Sequence, residues 1–247
     1  MLFFFKKKDL VVDCFCAETM NFVFHYSPIK YAQDFYPEWW KKLPLGKINF
    51  KTMQSEATMK SCMGLINEYK NAMMLSLWTD LIITLDGVSV KYQASTPPFE
   101  MGPHPLTQRT GFKVNYPHFK INSPWLFKSE KNVMFQCSEP YYNYPDGKDF
   151  DILPGTVDYY YQNATNVNVL VRPKTKEIFI PFETPLYIIK PISERNLVIK
   201  NHLISNNEWN NIKKLQSDIT FVKKYFSIKK SMENNEKKKC PFGFGSK

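Results

Sequence analysis

Between about Asn49 and Ile199 the chain is a succession of short runs rich in Val, Ile, Leu and aromatic residues, each closed by Pro, Asn or Lys, with almost no helical periodicity between them. Runs of this length and spacing are too short for buried helices and fit strands joined by tight turns. The sharpest signal is Leu81-Ile82-Ile83-Thr84-Leu85, which runs into Asp86-Gly87. Both turn residues tolerate positive φ, so Val88–Tyr92 is expected to return antiparallel as a hairpin. Val133–Cys137, Val167–Val171, Ile178–Phe182 and Leu186–Ile189 read as further strands. The expected fold is mainly β, a sandwich or barrel-like domain. One interruption is expected at Ser61–Met74, where Cys62, Leu65, Ile66, Tyr69 and Met73 recur at helical spacing.

Towards the N-terminus, Leu10–Cys16 and Met20–Tyr26 are expected to be two strands. Alternation along the first puts the Cys14 and Cys16 sulfurs on one face, as small buried side chains. Pro37–Pro44 is a compact segment carrying Trp39 and Trp40 beside Lys41 and Lys42. The paired rings suit a hydrophobic plug folded onto the body or an anchor at a contact between subunits. At the other end, Ser205-x-x-Glu208 has the form of a capping box. After it, Ile212, Leu215, Ile219, Val222 and Phe226 fall within roughly 80° of arc at 100° per residue. An amphipathic helix is expected there, burying its stripe on the domain or on another copy of the chain. Four parts follow: an N-terminal arm or extra strands over 1–48, a β domain over 49–200, a C-terminal helix over 201–230 and a basic tail over 231–247.

Composition narrows the function classes. With 43% hydrophobic and 23% charged residues, the chain is too apolar to be disordered. No run of about 18 apolar residues occurs, so no membrane span is expected. Phe3-Phe4-Phe5 precedes Lys6-Lys7-Lys8, the reverse of the order in a secretory signal, so export by a signal peptide is not expected. The five cysteines (14, 16, 62, 137 and 240) are scattered, which fits free thiols in a reducing cytoplasm. From residue 206 onward, ten lysines face four acids and supply six of the ten net positive charges. A basic appendage on a near-neutral core gives at most salt-sensitive, sequence-independent contact with nucleic acid or another acidic surface.

Few groups of residues carry chemistry. His25, His104, His118 and His202 stand far apart, without the spacing of a metal site, and no metal is expected. Neither a phosphate loop nor a Gly-x-Ser-x-Gly elbow is present. The runs Tyr141-Tyr142-x-Tyr144 and Tyr159-Tyr160-Tyr161 could stack on bases or sugars, but strand alternation also suits them to core and interface.

Leu153-Pro154-Gly155-Thr156-Val157-Asp158-Tyr159-Tyr160-Tyr161, the strand-like run after it and Phe182-Glu183-Thr184-Pro185-Leu186-Tyr187-Ile188 together resemble the dUTPase and dCTP deaminase superfamily. The resemblance implies a dUTPase-like β fold. It implies Asp158 as the base that activates water, Tyr161 as the ring packed on the nucleoside and Mg²⁺ on the triphosphate. Gly243-Phe244-Gly245-Ser246 is similar to the family's C-terminal arm, with Phe244 covering the base. Tyr160 stands where the family has a second Asp, Glu183 replaces a turn Gly, and Ile188 replaces Gln.

A second resemblance covers residues 37–195. Trp39-Trp40-Lys41-Lys42-Leu43, Lys60-Ser61-Cys62, Asn122-Ser123-Pro124-Trp125 and Pro154-Gly155-Thr156-Val157-Asp158 are similar in order to uncharacterised proteins of tailed bacteriophages, marine ones included. This resemblance implies a location in the virion or the cytoplasm of an infected host, and other phage structural proteins as partners. The expected function is therefore a non-enzymatic virion protein of the capsid, neck or tail. It would assemble as a homo-oligomer through its aromatic surfaces, with no cofactor. A dUTPase-like nucleotide pyrophosphatase and a basic binding module are the alternatives.

Overall fold

The structure is a computed structural model that describes residues 8–86, 89–105, 107, 111–173, 175–213, 226–227 and 229–234. In chain order, β1 (Leu10–Ala17) is followed by α1 (Asn21–Tyr26), β2 (Lys30–Tyr31) and α2 (Glu38–Lys41). A hairpin of β3 (Gly46–Asn49) and β4 (Gln54–Ala57) comes next, then α3 (Met63–Tyr69) and β5 (Met73–Ser76). β6 (Leu81–Asp86), β7 (Ser89–Ala94), β8 (Met101–Pro103), the long β9 (His118–Lys128) and β10 (Phe135–Ser138) build the middle of the chain. The remaining elements are β11 (Phe150–Ile152), β12 (Gly155–Val157), β13 (Ala164–Val171), β14 (Glu177–Ile180), β15 (Pro185–Pro191), β16 (Leu197–Ile204) and α4 (Asn206–Ile212).

The fold is mainly β, as the turn-punctuated sequence predicts. One six-stranded sheet has the order β11-β13-β9-β1-β16, with β8 also on β9. A five-stranded sheet runs β12-β10-β15-β5-β2. Both contribute to one apolar core: Leu10, Val12, Phe119, Ile121 and Phe127 from the first meet Met73, Leu75, Phe135, Tyr187 and Ile189 from the second. This is the sandwich logic of two sheets facing each other across interleaved side chains. A three-stranded sheet, β14-β6-β7, extends the core through Leu81, Ile83, Ile178 and Ile180. Leu81↔Ala94 through Asp86↔Ser89 pair as the expected hairpin, whose turn at residues 87–88 lies outside the described residues.

Alternation in β1 is strict: Leu10, Val12, Cys14 and Cys16 are buried, while Val11, Asp13 and Phe15 face outward and are half-covered. Both cysteines lie on the inner face, and burial raises the Cys14 thiol well above its ordinary pKa and pushes Cys16 up to about 12. β1 pairs antiparallel with β9 and parallel with β16, in register from Leu10↔Leu197 to Ala17↔Ile204. Residues before 49 and beyond 200 thus share a sheet with the middle of the chain. The expected boundaries at 48/49 and 200/201 do not separate folding layers.

Three expectations are corrected. Met20–Tyr26 is not a strand: Met20 closes a 3-10 turn and Asn21–Tyr26 is a short helix in which only Val23 is buried and Phe22 stacks on Tyr26 four residues on, with ring centroids 4.8 Å apart. An i,i+4 ring pair of this kind requires helical rise. The helix in Ser61–Met74 is shorter than its periodicity suggests. It buries Leu65 and Tyr69 and ends before Asn71, which takes φ 56°, leaving Met73 to start β5. Asn tolerates this left-handed conformation, so it can turn a helix into a strand within two residues.

The C-terminal helix begins as expected, with the Ser205–Glu208 capping box formed in both directions. α4 itself ends at Ile212, because Lys213 leaves the helical region at ψ 51°, with its ammonium 4.6 Å from the Trp209 ring centroid. Of the predicted stripe, Ile212 closes α4 half-buried, and Leu215, Ile219 and Val222 lie outside the described residues. Phe226 is helical, with residues 227 and 229–234, and is 61% exposed.

Candidate functional site

The bend at Asp158 follows β12, which is held on β10 by the pairs Phe135↔Val157 and Cys137↔Gly155. Past Val157 the chain turns tightly: the Asp158 carbonyl accepts from the N–H groups of Tyr161 (3.1 Å) and Gln162 (2.9 Å). The Asp158 carboxylate Oδ1 accepts the Tyr160 N–H at 3.0 Å, an Asx turn that pins the side chain to its own backbone. Asp158 is 8% exposed, and burial raises its carboxyl above the ordinary range, opposed by the Tyr160 N–H and by Lys229.

Of the three tyrosines that follow, Tyr160 is half-buried with its ring edge-on to Tyr161 at 4.8 Å, and the other two are buried. Tyr159 is fully buried between the Phe127 and Phe135 rings, each 5.0 Å away, and its hydroxyl shares a 2.8 Å hydrogen bond with Thr165. Tyr161 is buried as well. Its hydroxyl donates to Glu233 Oε1 at 3.3 Å, and the Lys229 ammonium lies 5.2 Å from its ring centroid. Burial, with Glu233 adding to it, pushes its phenol up to about 12. The two residues that the dUTPase resemblance marks therefore meet the C-terminal helical stretch and one another's backbone. A cavity of about 210 Å³ does lie against the bend, lined by Gly155, Thr156, Val157, Gln162, His104 and Tyr187 among others. Neither Asp158 nor Tyr161 lines it. Phe244, the third residue of that set, lies outside the described residues.

Glu183, in place of the family's turn glycine, sits at φ 60°. Its N–H donates to the Leu77 carbonyl at 2.8 Å and its carboxylate pairs with Lys30 at 3.1 Å. The turn keeps a glycine-like backbone conformation with a charged side chain attached.

The two tryptophans of α2 are used within the chain. Trp40 belongs to a second apolar cluster with Leu65, Tyr69, Met74 and Ile188. It stacks on Tyr36 at 4.6 Å and donates its indole N–H to the Met59 carbonyl at 2.8 Å, while the Lys60 ammonium lies 4.1 Å from its ring centroid. Trp39 donates to the Tyr142 carbonyl at 2.9 Å and borders an open groove with Tyr36, Asn143 and Glu183.

Two features escaped the sequence reading. The β3–β4 hairpin carries Leu45, Ile48, Phe50 and Met53 at 59–85% exposure, and each of its strands pairs only with the other among the described strands. The second is a cavity of about 440 Å³ at the junction of α4 with the end of β1 and the middle of β9, where Trp78, Trp209, Glu100 and Asn122 converge. Its residues come from segments nearly 200 positions apart. The one local signal was Asn206-Asn207-Glu208-Trp209-Asn210-Asn211, a helix start with a single aromatic set among amides. Among the described residues, no three His, Cys, Asp or Glu side chains group as metal ligands, and no helix is long and apolar enough to cross a membrane. Neither the protein-family models nor the curated proteins include one that matches the chain.

Proposed function

We propose that this chain is a non-catalytic structural protein of a tailed-bacteriophage particle, which assembles first with copies of itself through the β3–β4 hairpin. The exposure of Leu45, Ile48, Phe50 and Met53 on that hairpin carries the reading. A two-stranded ribbon is marginal in water by itself, and unshielded apolar area costs about 25 cal/mol per Å². Covering these four side chains stabilises both ribbon and contact. A second copy is the occupant the geometry favours, because the ribbon's free edges can pair with the same edges of another ribbon about a two-fold axis. The bacteriophage resemblance over residues 37–195 supports the source, the virion or the infected cell's cytoplasm as location, and further phage structural proteins as later partners.

The nucleotide pyrophosphatase reading has the 210 Å³ cavity in its favour. It asks Asp158 to orient a water, whereas that carboxylate is buried and committed to the Tyr160 N–H. The basic-module reading rests on lysines most of which lie outside the described residues.

Light scattering after gel filtration tests the proposal. The full chain is expected to run as a dimer or larger, and Ile48→Ser with Phe50→Ser as a monomer. A wild-type chain that stays monomeric at all concentrations sinks the self-assembly, and its absence from washed particles by mass spectrometry sinks the structural role. Incubation with dUTP or dCTP and Mg²⁺ is expected to release no pyrophosphate; release abolished by Asp158→Asn would put the hydrolase in its place.

A further inference from the structure

We propose that the 440 Å³ cavity between α4 and β9 is a binding site for a neutral saccharide. Its volume lies in the range of small-ligand sites, and its walls divide into flat apolar surfaces and convergent polar groups. The apolar surfaces are the Trp209 indole with Pro98 and Pro124, together with the small part of the buried Trp78 that the cavity reaches. Sugars have the matching character, with a C–H face on one side of the ring and hydroxyls around its edge.

The polar groups are pre-set by bonds within the chain. Asn122 donates its amide N–H to Glu100 Oε2 at 3.0 Å, which places an amide oxygen and a carboxylate side by side as acceptors. A carboxylate next to an amide is suited to two adjacent hydroxyls, and hydrogen bonds to a charged acceptor are the stronger kind. Across the cavity, the Asn206 side-chain Oδ1 accepts from the Thr19 hydroxyl at 2.9 Å, so its NH₂ is the part left to donate. Trp209 is fixed in orientation by its N–H to the Pro124 carbonyl at 3.3 Å. Trp78, 1% exposed, also lines the cavity, and its indole N–H meets no acceptor among the described residues. A buried donor without a partner is uncommon and costly, and it marks this wall as one that a ligand oxygen can improve.

Charge separates a saccharide from a nucleotide or free phosphate. Among the described lining residues, Glu100 is the acid and Lys213 the base, and the Lys213 ammonium lies over Trp209. A phosphate would meet a carboxylate and one committed cation, rather than the several donors such a group needs. Neutral hydroxyls meet no such penalty.

The test is titration of the full chain with glucose, galactose, mannose, N-acetylglucosamine, maltose and lactose, read by tryptophan fluorescence and by saturation-transfer NMR. Adenosine and inorganic phosphate serve as comparison probes. At least one sugar is expected to bind saturably, with a dissociation constant on the order of 1 mM. Glu100→Gln and Asn206→Ala are each expected to weaken that binding about tenfold, while Phe50→Ser on the β3–β4 hairpin, which does not line the cavity, leaves it unchanged. Both cavity variants alter surface polar groups, and their unchanged circular dichroism would show that the fold is kept. No saturable response to any sugar, equal binding in wild type and both cavity variants, or binding of adenosine or phosphate as tight as the best sugar would each overturn the proposal. The result is independent of the oligomeric state.

Discussion

Asp158 shows how one buried carboxylate can link local structure to pH. The folded chain holds its proton more tightly than the unfolded chain does, because burial penalises the anion more than the Tyr160 N–H and Lys229 favour it. Its contribution to stability is therefore fully present below the ordinary aspartate pKa of about 3.9 and is lost as pH rises through the raised value. Asp158→Asn keeps an oxygen for the Tyr160 N–H and has no charge to bury. The variant is expected to melt higher than wild type at pH 7, by no more than the ~2–4 °C that 1 kcal/mol gives in a chain of this size, with the gap closing on acidification. Thermal melts at a series of pH values check this, and a variant that melts lower at every pH contradicts it. Trp40 supports a different kind of prediction. Its ring is packed in the second cluster, so Trp40→Ala is expected to cost about 3–5 kcal/mol by denaturant unfolding. Residue identity gave away the buried Cys14 and Cys16 and the capping box at Ser205, because strand alternation and capping are local rules. It could not show that the Asp158 carboxylate turns back onto its own backbone, since the same residues would equally suit a carboxylate facing solvent.

At the scale of the element, legibility followed how much of each element's stability is local. The β6–β7 hairpin was readable because the Asp86-Gly87 turn and its flanking strands form one contiguous signal. The sequence predicts a strand at α1 because Phe22-Val23-Phe24 are aromatic and β-branched, and so short an apolar run carries no period that separates helix from strand. The helical spacing over Ser61–Met74 overshoots α3 because it continues past Asn71, where the backbone turns; α4 likewise closes at Lys213, while Leu215, Ile219 and Val222 of the expected stripe lie outside the described residues. The β3–β4 ribbon yields a prediction of its own. Its exposed side chains add little to the folded monomer, so Ile48→Ser and Phe50→Ser are each expected to change the unfolding free energy of the isolated chain by less than about 0.5 kcal/mol. Chemical denaturation at low protein concentration measures this. A loss of several kcal/mol would place the ribbon in the monomer's core.

For the molecule as a whole, the class was legible and the topology was not. Counting turn-bounded runs is enough to predict a mainly β chain, but no local pattern says that β1 lies beside β16, nearly two hundred positions away. The same separation hid the 440 Å³ cavity, whose walls come from residues 17–20, 78, 98–100, 122–124 and 206–213. A chain ending at Arg195 lacks β16 and leaves β1 with an open edge. It is expected to express largely as insoluble material, whereas a chain ending at Lys213 stays soluble; fractionation of the two lysates decides it.

The parallel pairing of β1 with β16 also sets a timetable for biogenesis. On the ribosome β1 emerges before either strand it pairs with, gains β9 as a neighbour, and then waits with one flank bare until Leu197–Ile204 has been made. During that interval the nascent chain carries a strand edge able to recruit its siblings on the same polysome. Slow codons or a stalled ribosome just upstream of Leu197 would lengthen that vulnerable period, while a chaperone shielding Leu10–Ala17 would relieve it.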